Sequence, residues 1–315
     1  MKDSRYSRQE LIIGDKAQLL LKKSKVCIVG LGALGTFSAE LLARSGVSLI
    51  LIDRDIVELH NLQRQSLFTE SDIGQPKAWT AKKHLEAINS EIKIDAFNED
   101  LNSSNIQLLN SNIVLDCTDN LAARFLINDY CVKNKLPWIY SAVIGIIGRV
   151  MVVLPGNYCF RCNFKEAKGL ETCDTIGVLN TTVAVNSSIQ VSEVIKILTR
   201  NKPSLGLICI NSGANEIKTI NVNKNKECIC CSKNKYEYLD KKEESIIKFC
   251  GSGTYQIKGE FNFKEVKKRL KKLDSITDFG SSFSFENVSV FNSRVLIKAK
   301  NEKEAKVIYS KYIGD

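Results

Sequence analysis

KVCIVGLGALGTFSAELLARSGVSLILIDRD, residues 25–55, decides the fold. Val26, Cys27, Ile28 and Val29 form a short apolar run, the mark of a buried strand. Gly30-Leu31-Gly32-Ala33-Leu34-Gly35 follows at once, and residues 36–45 read as a helix with Phe37, Leu41 and Leu42 on its apolar side. A second apolar run, residues 49–52, ends on Asp53, 23 positions after Gly30. Glycines allow a tight turn and a close approach of backbone to phosphate. The helix start supplies free N–H groups at a positive dipole end. An acid at the end of the second strand accepts hydrogen bonds from ribose hydroxyls. The stretch therefore points to nucleotide binding, against the plainer reading that its glycines only permit strand–helix packing.

The chain has 315 residues, room for one large domain and a small one, and its 44% hydrophobic content is that of a globular protein. No apolar run approaches the roughly 20 residues of a membrane span. The opening residues MKDSRYSRQE are polar, without the apolar segment of a secretory signal, so the expected compartment is the cytoplasm. The net charge is +10, with lysines scattered and densest over residues 224–272. They are not interleaved with aromatics as in a single-strand groove, so nucleic acid is not an expected partner. They read as a solvated surface, or as a docking face for an acidic protein or ATP.

Residues 4–22 read as two short helices broken near Gly14-Asp15, with Arg8 in the first. After Asp53 comes an irregular polar segment, DRDIVELHNLQRQSLFTESDIGQPK, carrying Asp55, Asn61, Arg64 and Lys77. It follows the carboxyl end of a strand, the edge at which open α/β sheets bind ligands. Arg64 and Lys77 are thus either phosphate ligands, one planar and one a point charge, or solvated charges. A helix is expected from Pro76 to Asn89, with Pro76 at its first position. Residues 92–97 and 113–115 read as strands, the latter leading into Asp116-Cys117-Thr118-Asp119-Asn120. Asp119 is placed to hold Mg²⁺ against phosphates or to cap the helix expected over 121–134, and the two roles can coexist. Further strands at 138–143 and 149–154 complete a βαβ alternation, which argues for a mainly parallel, doubly wound α/β sheet.

Eleven cysteines, an odd number spread over strands and loops, do not form a secreted disulfide frame. Cys159-Phe160-Arg161-Cys162 is one C-x-x-C, and Cys228-Ile229-Cys230-Cys231 contains a second. Two such pairs in a reducing compartment point to a closed four-thiolate structural zinc on Cys159, Cys162, Cys228 and Cys231, with Cys230 as a rival ligand. Cys173 sits between the pairs in a polar, glycine-containing loop, as a nucleophile or as a thiol without a role. Residues 180–199 read as a long helix, and 205–210 and 216–222 as strands. Residues 232–244 are rich in Lys, Glu and Tyr and read as a linker, so the division expected is 1–240 and 246–315. The second part shows short strands at 255–257, 288–291 and 295–299 and amphipathic helices near 263–272 and 302–312, an α+β module without a catalytic constellation.

Taken together, RYSRQ (5–9), GLGALG (30–35), LIDRD (51–55), NLQRQ (61–65), GQPK (74–77), CTDN (117–120), the paired cysteines and TCDTIGV (172–178) resemble the ThiF/MoeB adenylyltransferases, relatives of the ubiquitin-activating enzymes. The resemblance spans residues 5–231 and implies a Rossmann-like domain that binds ATP·Mg²⁺ and the Gly-Gly terminus of a ubiquitin-like sulfur carrier. It implies that Gly30, Gly32, Ala33, Asp53, Asp55, Asn61, Arg64, Lys77, Asp119 and Asn120 bind the nucleotide. Asp53 would hold the ribose and Asp119 the magnesium, with Arg64 and Lys77 neutralising phosphate charge. Arg8 would reach the partner's site in a homodimer, and Cys173 matches a loop cysteine that takes part in covalent transfer in some members. Ala33 stands where many members have glycine, which a negative φ accommodates. Three rivals remain at this level. A superfamily member adenylating a peptide C-terminus or a modified tRNA base shares the motifs. An NAD-dependent oxidoreductase would leave NLQRQ, GQPK and the cysteine set without purpose. A scaffold would not need the phosphate-neutralising set.

Overall fold

β1 (Lys25–Val29) lies parallel between β2 (Ser48–Ile52) and β4 (Ile113–Asp116). In this computed structural model, which describes residues 5–165, 176–241, 246–248, 253–273, 275–280 and 282–314, β3 (Ile94–Phe97) pairs outside β2 and β5 (Trp138–Ile144) beyond β4. All four of these pairings are parallel, in the order β3-β2-β1-β4-β5, so the direction of winding reverses between β1 and β4. That reversal opens a crevice at the carboxyl ends of the two strands. β6 (Ile147–Val153), β7 (Leu207–Asn211) and β8 (Glu216–Ile220) extend the sheet antiparallel.

The central strands are continuously apolar because helices cover both faces. Alternate residues of β1 and β4 feed two cores. Ile28 and Leu115 join Leu42 of α3 (Ala33–Arg44) and Val191 and Val194 of a long helix, α6 (Asn180–Leu198). Cys27, Val29 and Val114 join Phe125 and Ile127 of α5 (Leu121–Lys133), with Trp138 and Phe160. Two short helices, α1 (Ser7–Ile13) and α2 (Asp15–Lys23), precede the sheet and break at Gly14, as the sequence suggests.

Three boundaries differ from expectation. The helix read as beginning at residue 36 begins at Ala33, with Gly32 as its N-cap, because Gly35 already lies inside the turn that packs on β1. The helix read from Pro76 is α4 (Lys77–Ile88). Pro76 is its extended N-cap, and Lys77 N–H donates to the Asp55 carbonyl at 2.9 Å rather than into the helix. Residues 232–241 are no linker. Tyr238 is buried, stacks on Phe125 at 5.1 Å and donates its N–H to Asp129. Its lysine-rich surroundings masked an aromatic that closes the core.

The chain forms two compact units, Met1–Lys241 and Lys242–Asp315. The second holds an antiparallel sheet in the order β11-β12-β13-β14-β10-β9. Its strands are β9 (Ile246–Lys248), β10 (Thr254–Lys258), β11 (Thr277–Asp278), β12 (Phe283–Phe285), β13 (Val288–Val290) and β14 (Arg294–Lys298). The helices α7 (Phe263–Leu270) and α8 (Glu302–Tyr312) are capped by the side chains of Asn262 and Asn301. Leu270 and Ala305 share a core with Tyr255, Ile257, Val295 and Ile297. Among the described residues no helix is long and apolar enough to cross a membrane.

Candidate nucleotide and metal sites

The glycines after β1 have unequal duties. A Cβ on Gly30 (φ +91°) would stand 2.6 Å from the Cys117 carbonyl, and one on Gly35 would collide with the carbonyl of Gly30. Both positions serve the close passage of β1, β4 and α3. Gly32 is different: a Cβ there meets only the Gln65 side chain, at 4.0 Å. The protein's own packing does not demand a glycine at that point, which is what a phosphate-approach position requires. Ala33 is the first residue of α3 and is not among the residues with positive φ. The beginning of α3 thus faces the β1/β4 crevice with free N–H groups.

Asp53 ties the glycine turn to β2. One carboxylate oxygen accepts from Leu31 N–H at 2.5 Å and the other from Asp55 N–H at 2.7 Å. Burial pushes its carboxyl up, against the pull of the Lys77 ammonium. Lys77 is itself buried, 3.6 Å from Asp55 Oδ2. Asn61 is buried, and its Oδ1 accepts from Glu58 N–H, which leaves the amide N–H₂ to donate elsewhere. Arg64 donates one bond, to the His60 carbonyl at 2.8 Å, and forms no ion pair among the described residues. Gln65, unassigned from the sequence, is buried against Gly32 with an Oε1 that has no partner among the described residues. An orphaned acceptor and an unpaired guanidinium beside an open glycine fit a polyanionic ligand that also donates hydrogen bonds.

Asp119 and Asn120 follow β4, on the other side of the crevice. The cap of α5 belongs to Asn120, whose Oδ1 accepts from Ala123 N–H at 2.8 Å. That assignment leaves Asp119 exposed and free of hydrogen bonds among the described residues, within electrostatic reach of Arg54 and Arg124. Sequence reading missed both arginines. Arg124 bonds Asp116 at 3.2 Å and the Thr118 carbonyl at 2.6 Å, and lies over the Tyr140 ring, so it fixes the loop that carries Asp119. Arg54 pairs with Asp100 at 2.8 Å. The partner of Arg54 is 46 residues away and those of Arg124 lie across the turn from β4 into α5, and no local motif marks either pairing.

Arg8 projects from α1, exposed and without a hydrogen bond or ion pair among the described residues. Leu11 and Ile12 on the same helix and Leu19 on α2 are exposed as well. Gln9, the neighbour of Arg8, bonds the Ser45 carbonyl ahead of β2, so α1 is anchored near the amino end of that strand, whereas the crevice lies at the carboxyl ends. Cys173 lies outside the described residues.

The sulfurs of Cys159, Cys162, Cys228 and Cys231 lie within 4.8 Å of one another, with Cys159–Cys228 at 3.6 Å and Cys162–Cys231 at 3.4 Å. Tetrahedral zinc with bonds of about 2.3 Å needs sulfurs about 3.8 Å apart, so the set fits a closed four-thiolate site. A hydrogen-bonded thiol neighbour and burial push Cys162 up to about 12, a crowding that a cation relieves. Cys230 stands outside the set. It is fully buried and accepts from the Asn128 amide, while the clustered sulfurs are those of the other four cysteines.

Residues 6–231 match the model of the ThiF family. The chain is 33% identical to the sulfur carrier protein ThiS adenylyltransferase of Bacillus subtilis, over 98% of this chain and 99% of the relative. It is 36% identical to the molybdopterin-synthase adenylyltransferase of Escherichia coli, over 72% of this chain and 95% of the relative. A crystal structure of E. coli MccB with ATP aligns with a TM-score of 0.66 at 27% identity, covering 73% of this chain and 74% of that one.

Proposed function

Because this chain belongs to the ThiF family, we propose that it is an ATP-dependent adenylyltransferase that activates the C-terminal glycine of a ubiquitin-like sulfur carrier. The observation that supports the reading is a pair of charges without an ion pair among the described residues, Arg64, next in sequence to the Gln65 that faces an open Gly32, and Asp119, just past the end of β4. An NAD-dependent oxidoreductase needs the glycine turn and Asp53 but has no use for either charge. In the reaction a carrier carboxylate oxygen attacks the α-phosphorus of ATP. A P–O bond forms, the bond to the departing phosphates breaks, and acyl-adenylate and pyrophosphate result. Both reactants are anionic, so catalysis consists chiefly of neutralising charge and aligning groups.

Asp53 and Asp55 receive the ribose end, and Asn61 donates to the nucleotide. The N–H groups of Gly32 and Ala33 approach the phosphates from the start of α3. Arg64 contacts phosphate oxygens in two-pronged fashion, and Lys77 adds a buried positive charge. Asp119 would hold Mg²⁺, which supplies further neutralisation of the phosphates, with Asn120 setting the turn. Arg8, exposed beside Leu11 and Ile12, suits a homodimer in which each chain completes its partner's site. Cys173 is read as a nucleophile in later sulfur transfer. The four thiols hold a structural zinc, and Lys242–Asp315 shapes carrier docking. Thiamine, molybdenum-cofactor and tRNA thiolation routes all use this activation.

The test is ATP–pyrophosphate exchange with each Gly-Gly-ending carrier of the same genome, with Asp119→Ala as control. Carrier-dependent exchange that collapses in the variant is expected. ATP binding without exchange for any carrier would redirect the reading to a peptide C-terminus or a modified tRNA base.

A further inference from the structure

We propose that Asn128 is the positioning residue of the metal centre, a single buried amide that grips both cysteine knuckles and presets their separation for one tetrahedral ion. The inference rests on reading the four thiols as a metal site. Asn128 lies on α5 and is wholly buried. Its Oδ1 accepts from Phe160 N–H at 2.9 Å, between Cys159 and Cys162. Its amide nitrogen donates to the Cys230 sulfur at 3.3 Å, between Cys228 and Cys231. One side chain thus bonds the interior of each C-x-x-C. Asp129 repeats the grip on the first knuckle, through Arg161 at 3.3 Å, and also takes Tyr238 N–H at 3.1 Å.

The knuckles have little else to hold them in register. Apart from sulfur–sulfur contacts, the described residues add between them a long hydrogen bond, from Asn225 N–H to the Cys162 sulfur at 3.5 Å, and an ion pair of Arg161 with the exposed Glu237, six residues past Cys231, at 2.8 Å. Four thiolates brought together repel, and an unfixed pair of knuckles must be ordered as the metal binds. A neutral amide that donates to one and accepts from the other removes that ordering without adding a charge to the site. It also explains why Cys230, though flanked by ligands, faces the helix and not the metal.

The test compares the wild-type protein with Asn128→Leu, Asn128→Asp, Cys230→Ala and Cys230→Ser. Two quantities are measured: bound zinc after purification, and its rate of release to an excess of a chromogenic chelator. About one zinc per wild-type chain is expected. Release should be about ten- to a hundredfold faster in Asn128→Leu, as for other residues that orient metal ligands. Asn128→Asp keeps the acceptor for Phe160 N–H and loses the donor to Cys230, so it should fall between. Cys230→Ala should release faster than wild type, and Cys230→Ser, which restores an acceptor, should return towards it. The cobalt-substituted Cys230→Ala protein should keep the wild-type four-thiolate absorption.

Zinc-free wild-type protein would overturn the metal reading and the positioning role of Asn128 with it. Zinc-bound wild-type protein whose release rate is unchanged in Asn128→Leu and Cys230→Ala would overturn that role and leave the metal site standing. Loss of a thiolate from the cobalt spectrum of Cys230→Ala would make Cys230 a ligand and overturn the proposal. Should Asn128→Leu not fold, the Cys230→Ala and Cys230→Ser pair decides alone.

Discussion

Arg64 and Lys77 carry the same charge into the proposed phosphate site, but the protein holds them differently. Arg64 bonds a single backbone carbonyl, whereas Lys77 is buried among Asp53 and Asp55. Arg64→Ala should lower the rate of pyrophosphate exchange about a hundred- to a thousandfold, the usual effect of removing one aligned electrostatic group, and leave the melting temperature in place. Lys77→Ala should lose a similar rate and also cost about 3 kcal/mol of stability, since the buried Asp53 carboxylate then loses its cation. Denaturant melts beside exchange assays separate the two. The glycines divide in the same way. Gly32→Ala should fold normally and bind ATP poorly, while Gly30→Ala, with a backbone oxygen 2.6 Å from the new methyl, should fail to accumulate as folded protein. Calorimetric ATP titration and thermal melts check the pair. The GLGALG motif was readable as a whole, but only the surrounding backbone tells which glycine faces the protein and which faces the crevice. Gln65, Arg54 and Arg124 stayed invisible for the same reason: their partners lie on other strands and loops.

α4 shows how an element is anchored by groups no periodicity reveals. His84 on this helix meets Asp72 at 2.9 Å, and Asp72 also takes Thr69 N–H at 2.8 Å and the Thr69 hydroxyl at 2.9 Å. Burial alone would raise the Asp72 carboxyl, but the Thr69 and His84 bonds outweigh it and hold it below the usual carboxylate range. Its stabilisation is therefore fully present above the ordinary aspartate pKa of about 3.9 and is lost as pH falls through the lower folded value. Asp72→Asn should cost about 1.5 kcal/mol at pH 7, the value of hydrogen bonds to a charged group. That deficit should shrink in urea melts as the pH falls through the lowered folded value and vanish beneath it. α5 joins the two sites along its length. Asn120 caps it beside Asp119, and Asn128 and Asp129 hold the cysteine knuckle further along. Its register thus sets both the loop of Asp119 at one end and the cysteine cluster further along.

The molecule consists of two units with separate cores, and the nucleotide and thiol sets both lie in Met1–Lys241. Removal of residues 242–315 should therefore leave ATP affinity within about twofold of the full chain and weaken carrier affinity tenfold or more, changes of about 0.4 and 1.4 kcal/mol. Surface plasmon resonance with immobilised carrier and ATP titration of the truncated chain measure both. Unchanged carrier affinity would deny the second unit a part in docking.

By itself the sequence determined the βαβ unit and most of its strands, because period and turn chemistry are local. It also determined the spacing of the four thiols, because metal-ligand pairs are written as short motifs. Tertiary structure alone decided the start of α3 inside the glycine turn, the transfer of the α5 cap from Asp119 to Asn120, and the packing of Tyr238 where a linker was expected. It likewise turned Cys230 towards Asn128. For Tyr238 and Cys230 the deciding partner stands far away in the chain, and contacts made between distant segments leave no trace in the order of neighbouring residues. For the start of α3 and the cap of α5 the partners are near, but adjacent residues compete for the role and only the folded backbone chooses between them.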